Sequence, residues 1–303
     1  MTPKGEFGIR EFAAAKINLT LEIAGRRSDG FHELASLVVF ASVGDVVTLD
    51  PGLPPGLSLS GVFADRLAGA NILGRALDLL DACKPKLELG AVHLEKSLPV
   101  AAGIGGGSAD AGALLRAVRR TNVEAGRDID WHGLARELGA DVPVCFESRP
   151  LWMTGTGERL AELGGVLPAL HAVLVNPMAA VPADKTARVF RALGAEPLAP
   201  DYAPPPAPKL ADRGALIDFA RERGNDLGAA AEAVVPEIGQ VLSALRRAPG
   251  IEHAAVSGAG PTCFGIFPDG ASADAARQQL AAEHPSWWTA STTLGGGSLR
   301  QEA

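Results

Sequence analysis

Cysteine is scarce in this chain, with three among 303 residues. Cys83, Cys145 and Cys263 are odd in number, far apart and outside any CxxC or Cys/His spacing; this argues against a disulfide framework and reads as three buried thiols. The six histidines are scattered and form no HExxH, so a zinc site has no support and no metal ligand is assigned. No apolar run reaches the length of about 18 residues that a membrane span needs. Met1-Thr2-Pro3-Lys4-Gly5-Glu6 also lacks the apolar core of a secretory signal, so a cytoplasmic protein without membrane association is the simplest expectation. Positive charge is in deficit, 28 Lys and Arg against 35 Asp and Glu, which argues against a nucleic-acid surface. Anionic ligands must then be met locally.

Two familiar phosphate loops are missing as well. A Walker loop needs a Gly-Lys pair, and none occurs. The spacing Gly103, Gly105, Ser108 does not fit a dinucleotide fingerprint, and no early βαβ unit precedes it.

What the chain does have is Pro99-Val100-Ala101-Ala102-Gly103-Ile104-Gly105-Gly106-Gly107-Ser108-Ala109, followed by an apolar helical stretch to Val118. Four glycines within five residues ahead of a helix expose backbone N–H groups, with Ser108 as the expected N-cap. That is an anion site, since a phosphate can rest at the positive end of such a helix; the alternative is a flexible glycine turn.

In chain order, Ile17, Leu19, Leu21 and Ile23 alternate with Asn18, Thr20 and Glu22, which predicts one half-buried strand. Lys16 and Asn18 then share its polar face, roughly 7 Å apart at strand rise; a solvated face explains the pair equally simply. Gly25-Arg26-Arg27-Ser28-Asp29-Gly30 is a turn leading into Phe31-His32-Glu33-Leu34, and Phe31 is either a core anchor or a ligand contact. Strands follow at Leu37–Phe40 and Asp45–Leu49, a helix opens after Asn71 as N-cap, and Ala91–Glu95 returns as a strand ahead of Lys96. Beyond the glycine loop, a helix over Trp131–Leu138 ends at Gly139. Asp141 then stands as the one acid in an apolar segment, either a turn residue or a partly desolvated catalytic carboxylate that needs a partner. A hairpin at Trp152–Glu158, a buried strand at Ala172–Asn176, a helix over Thr186–Leu193 and a stiff, exposed loop at Pro200–Pro208 continue the pattern. An Ala-rich helix after Leu227, a glycine-spaced strand pair from Val256 to Ile266, a helix over Ala273–Ala282 and a last strand near Trp287–Ala290 complete an α+β order. The length allows two domains.

Taken together, these stretches resemble the GHMP family of small-molecule kinases. The resemblance rests on Ala15-Lys16-Ile17-Asn18-Leu19, on Gly25 to Leu34, on Pro99 to Ala109, on Gly139-Ala140-Asp141-Val142-Pro143 and on Ser257-Gly258-Ala259-Gly260. It implies an α+β, two-domain fold: a ribosomal-S5-type ATP-binding domain over residues 1–165 and a ferredoxin-like domain over 166–303, with the site between them. It further implies ATP as co-substrate with Mg²⁺, and phosphoryl transfer to a hydroxyl. By the same resemblance, Asp141 would take the hydroxyl proton, Lys16 would stand beside it as its counter-charge, and the loop from Pro99 to Ala109 would cradle the ATP phosphates. Asn71 and Lys96 correspond to adenine-side positions, and Asn18 to a substrate-phosphate contact. The Phe31-His32 turn implies a small-molecule substrate with a cytidine diphosphate moiety, its base between Phe31 and a second aromatic, Phe190, and its edge read by His32. A monomer or weak dimer is expected. The chain departs from the family at Ala14, where proline is usual, and at Phe31, where tyrosine is commoner. Two competing readings stay open: another kinase of the same family, and an idle nucleotide-binding protein.

Overall fold

The alternating and continuous apolar stretches build a single sheet of eleven strands flanked by nine α-helices among the described residues, which are 8–67 and 71–295 of a computed structural model. The stretch Met1–Glu6 lies outside them. The strands are β1 (Ile9–Asn18), β2 (Glu22–Arg26), β3 (His32–Asp50), β4 (Gly56–Ser60), β5 (Ala91–Glu95), β6 (Leu151–Gly155), β7 (Arg159–Ala161), β8 (Leu170–Asn176), β9 (His253–Val256), β10 (Cys263–Phe267) and β11 (Trp288–Leu294). The helices are α1 (Ile72–Cys83), α2 (Gly106–Thr121), α3 (Trp131–Leu138), α4 (Val142–Glu147), α5 (Lys185–Leu193), α6 (Arg213–Arg223), α7 (Gly228–Val234), α8 (Glu237–Arg247) and α9 (Gly270–Glu283).

β3 is the spine of the fold. Its 19 residues pair with β1, β2, β5 and β6, and through Ala41 opposite Leu294 with β11. The two expected strands at Leu37–Phe40 and Asp45–Leu49 are thus one, because pairing with β1 resumes on both sides of a bulge, Ala14 opposite Gly44 and Lys16 opposite Phe40. Along β3 the side chains alternate: Val38 and Phe40 enter a core formed with α1, α2 and α3, and Leu37, Val39 and Ala41 enter a second core on the other face. A strand buried on both faces reads as a continuous apolar run.

The last four strands lie in the order β11-β8-β10-β9, and with α5 to α8 after β8 and α9 after β10 they form a βαββαβ unit. In its own numbering the strand order is 4-1-3-2, the ferredoxin-like arrangement expected from the resemblance.

The chain from Phe12 to Ile23 is two strands, not one. It bends after Asn18, where the Thr20 hydroxyl accepts from Leu37 N at 3.0 Å and Leu21 N turns away to Gly224 O at 2.9 Å. Cys145 and Cys263 are buried, but Cys83 at the end of α1 is exposed, since the helix buries Leu73, Ala76 and Leu80 instead. The proline loop is not wholly exposed: Pro205 O accepts from Trp152 Nε1 at 2.9 Å, and Ala207 packs against the second core.

Candidate active site

α2 carries the glycine loop, and it is held from behind. Arg116 on α2 is buried; its Nε donates to Glu11 Oε2 on β1 at 2.8 Å and its guanidinium also donates to Cys145 O of α4 at 2.8 Å. One charged side chain thus fixes the glycine helix, the Lys16 strand and the Asp141 segment relative to one another.

The helix begins three residues before the expected Ser108. Gly105 is the N-cap, in the left-handed conformation with φ 62°, and its carbonyl accepts from Ala109 N at 2.7 Å. Ser108 is therefore inside the first turn rather than capping it. No side chain caps this end, which leaves the N–H groups of Gly106, Gly107 and Ser108 without a helical partner. Those three residues line a cavity of about 500 Å³ together with Pro99, Val100, Ala101, Ala102, Gly103, Gly105 and Lys96. Ile104 and Ala109 point into the protein; Ile104 contributes its carbonyl, which accepts from Lys16 N at 2.9 Å. The loop is thereby tied to β1 at its bulge. Gly103 lies against the turn between β9 and β10, where a Cβ would approach Gly260 O to 2.2 Å.

Lys16 and Asn18 do lie on one face of β1, but that face is buried. Lys16 is 4% exposed, and its Nζ donates to Asn18 Oδ1 at 3.0 Å and to Asp141 Oδ2 at 3.0 Å. The Asn18 amide is engaged at both ends, since its Nδ2 donates to Ser36 Oγ at 2.8 Å, and its backbone N donates to Ser257 Oγ at 3.2 Å. Asp141 precedes α4 without capping it, so its carboxylate is free for Lys16 and reaches solvent, with 39% of the side chain exposed. These three residues line a second cavity of about 330 Å³.

A third cavity, about 870 Å³, is lined by Phe31, His32 and Phe190. Phe31 is exposed on its rim. The ring of Phe190 stacks on His32, with centroids 4.6 Å apart, rather than facing Phe31 across an open slot. Each ring removes apolar area of the other from water. Burial, with the charge of Arg26, lowers the His32 pKa from its ordinary value, so its imidazole is neutral at pH 7 and offers one donor and one acceptor.

The three cavities adjoin. Gly103, Gly105, Ser108, Lys185 and Thr186 line both the first and the second, and Leu34, Ala140, Thr156, Thr186 and Phe190 line both the second and the third. A ligand at the glycine loop and a ligand against Phe31 can therefore meet at Lys16 and Asp141.

Two residues expected on the adenine side have structural partners. Asn71 caps α1, its Oδ1 accepting from Leu73 N at 3.0 Å, and it is the next residue, Ile72, that lines the cavity. Lys96 reaches the cavity wall, but it is 1% exposed and its Nζ donates to Asp45 Oδ2 and to Asp110 Oδ2 at 2.7 Å. Burial pushes the Asp110 carboxyl well above the usual range against the pull of Lys96, and the two carboxylates raise the Lys96 pKa despite burial. The sequence reading missed Ser36, Ser257, Lys185 and Thr186; only Ser257 had a signal, in its glycine-spaced turn.

This network also corrects a natural test of the loop. A Cβ on Gly106 would stand 3.2 Å from Lys96 Nζ, so Gly106→Val disturbs the buried ion cluster and not the cavity alone. A Cβ on Gly107 meets only Ile72 Cγ2, at 3.7 Å. For the ATP cradle that the resemblance implies, Gly107→Val is expected to weaken ATP binding about ten-fold or more, the worth of one or two charge-assisted hydrogen bonds, with melting temperature nearly unchanged. Calorimetric titration with ATP beside thermal unfolding checks this, and unaltered affinity would move the phosphate site away from this loop.

Comparison with known proteins gives one direction. Residues 71–149 match the family described as GHMP kinases N terminal domain, and residues 209–286 match GHMP kinases C terminal. A 4-diphosphocytidyl-2-C-methyl-D-erythritol kinase of Paracoccus denitrificans is 47% identical over 287 residues, covering 94% of this chain and 96% of the relative. One from Rhodopseudomonas palustris is 45% identical over 305 residues, covering 97% and 100%. Among solved structures, a 4-(cytidine 5'-diphospho)-2C-methyl-D-erythritol kinase superposes with a TM-score of 0.72 at 32% identity, over 95% of this chain and 100% of the other. A homoserine kinase from Cytophaga hutchinsonii, at 16% identity and a TM-score of 0.60 over 98% of each chain, shares the fold.

Proposed function

This chain belongs to the GHMP kinases, in the family of its 4-diphosphocytidyl-2-C-methyl-D-erythritol kinase relatives, and we propose that it transfers the γ-phosphoryl group of ATP to the 2-hydroxyl of that cytidyl substrate, a step in isoprenoid precursor synthesis. The observation that carries the assignment of roles is the Lys16–Asp141 ion pair at 3.0 Å, in the cavity that adjoins both the glycine loop and the aromatic pocket.

ATP lies with its phosphates on the N–H groups of Gly106, Gly107 and Ser108, where the helix end and the absent side chains favour close approach of an anion. The substrate lies with its cytidine in the cavity of Phe31, His32 and Phe190 and its hydroxyl directed at Asp141. The hydroxyl oxygen attacks the γ-phosphorus, the bond from phosphorus to the β,γ-bridging oxygen breaks, and ADP leaves with that electron pair. Asp141 takes the hydroxyl proton, and Lys16 offsets negative charge as it builds between nucleophile and phosphorus. Asn18, engaged by Lys16 and Ser36, positions the lysine.

Among the described residues no group of three or more His, Cys, Asp or Glu side chains is placed to hold a metal ion. Mg²⁺ would arrive as part of the substrate, MgATP, and the Ser108 hydroxyl in the glycine-loop cavity would be a protein oxygen for it. We divide the chain into its two domains at 165/166, between β7 and β8. No described helix is long and apolar enough to cross a membrane; we place the reaction in the cytoplasm, where ATP is available.

Base selection tests the substrate. Stacking alone does not separate cytosine from uracil, but polar groups left unpaired by the wrong base do. Phe31 is 63% exposed, so its removal leaves the core intact. Phe31→Ala is expected to raise KM for the cytidyl substrate about ten-fold, within the worth of one base-stacking contact, and to change kcat less. Steady-state kinetics with the cytidyl substrate and its uridyl counterpart decide the matter: the first is expected to be used well and the second poorly, and equal use of both contradicts the assignment.

A further inference from the structure

Lys185 has no part in the reaction as described so far, yet it occupies the junction of the site. It opens α5, is 6% exposed, and its Nζ donates to Gly260 O and, at 3.4 Å, to Ala101 O. Both partners are neutral carbonyls. No carboxylate pairs with it among the described residues, whereas Asp184 beside it is taken by Arg188 at 2.7 Å and Arg191 at 3.2 Å. Burying an ammonium without a counter-ion is costly, and an anionic ligand beside it would remove that cost. Of the five residues that line both the glycine-loop cavity and the Lys16–Asp141 cavity, Lys185 alone carries a charge. Lys96 cannot serve there, because its ammonium is held by Asp45 and Asp110. Lys16 stands on the acceptor side, paired with Asp141.

We propose that Lys185 is a second phosphate-binding cation of this site: when ATP binds, its ammonium turns from the carbonyls of Gly260 and Ala101 to the terminal phosphate at the seam between the two cavities. The inference rests on the kinase reading above and adds a residue to it. Burial alone brings the Lys185 pKa down to about 8, so the group is charged at pH 7 and available to an anion. Its two carbonyl partners belong to the glycine loop and to the turn after β9, which stay joined without it, because Thr262 N donates to Ala102 O at 3.0 Å.

A cation at the seam meets the terminal phosphate of ATP and has much less to gain from ADP. Titration calorimetry of MgATP and MgADP into the full chain separates this from a merely structural lysine. Lys185→Met is expected to weaken MgATP about ten-fold or more, as for loss of a charge-assisted hydrogen bond, and MgADP less than about three-fold. Lys185→Gln keeps a donor for Gly260 O while removing the charge, so it holds the loops and is expected to show the same selective loss. Lys185→Arg restores the preference for MgATP. Equal weakening of both nucleotides, no weakening of either, or full MgATP affinity in Lys185→Gln would overturn the proposal. Failure of the unaltered chain to bind MgATP would overturn the kinase reading and this inference together, whereas normal phosphorylation with unselective variants would overturn the inference alone.

Discussion

Asp141→Asn is expected to lower kcat by about 10²–10⁴-fold, the range of a general base, while MgATP binds with little change. The asparagine keeps the shape of the side chain and an oxygen for Lys16, and the glycine loop is supplied by α2 and does not depend on Asp141. The substitution therefore removes the proton acceptor and leaves the nucleotide cradle. Stability falls modestly: Lys16, 4% exposed, loses its counter-ion, while the asparagine oxygen keeps its hydrogen bond and the 39% exposure of the Asp141 side chain limits the loss. Rapid-quench measurement of a single turnover reads the chemical step directly. Near-normal turnover would remove Asp141 from the mechanism.

Lys16→Met is the companion change, and its expected effect is of the same order, a fall of about 10²–10³-fold in kcat from loss of charge stabilisation in the transition state. Methionine matches the length of the lysine stem and suits a position only 4% exposed, so the fold tolerates it. The informative comparison is the double variant. Lys16 Nζ and Asp141 Oδ2 are 3.0 Å apart, so in the proposed mechanism loss of either charge also disturbs the other. Their combined loss is expected to fall well short of the product of the single losses, as it does for groups that work as a unit. Fully multiplicative losses would mean that the two act independently and that the ion pair is incidental.

Much of this site was legible in the sequence because its parts follow simple periods. The alternation around Ile17 put Lys16 and Asn18 on one side of a strand, and the hydrogen bond between them lies where a two-residue period requires it. The glycine run announced a helix with open N–H groups. The start of that helix was not legible, because it depends on Gly105 taking a left-handed conformation that any of four neighbouring glycines could take. The fusion of two strand signals into β3 was hidden by Ser42 and Gly44, which look like a turn until β1 and β11 pair with the residues around them. α4 has only six residues, too few to show a helical period, and a proline stands at its start.

Lys185 and Lys96 show the other limit. Nothing local sets either apart, Lys185 beside Asp184 and Lys96 after Glu95, and only the family resemblance gave Lys96 a place, on the adenine side. Their burial is decided by what packs over them: two loops from distant parts of the chain over Lys185, and Asp45 with Asp110 over Lys96. Stacking of His32 on Phe190 joins residues 158 positions apart, and nothing local in either stretch indicates it.

The central claim is that these residues move phosphate from ATP to one hydroxyl of a cytidyl substrate. Phosphorus NMR of the unaltered chain mixed with MgATP and 4-diphosphocytidyl-2-C-methyl-D-erythritol tests it most directly. The account predicts one new phosphomonoester on the 2-hydroxyl for each ADP formed, and none with Asp141→Asn on the same timescale; ADP with free phosphate alone, or a product only when homoserine or mevalonate is supplied, would contradict it.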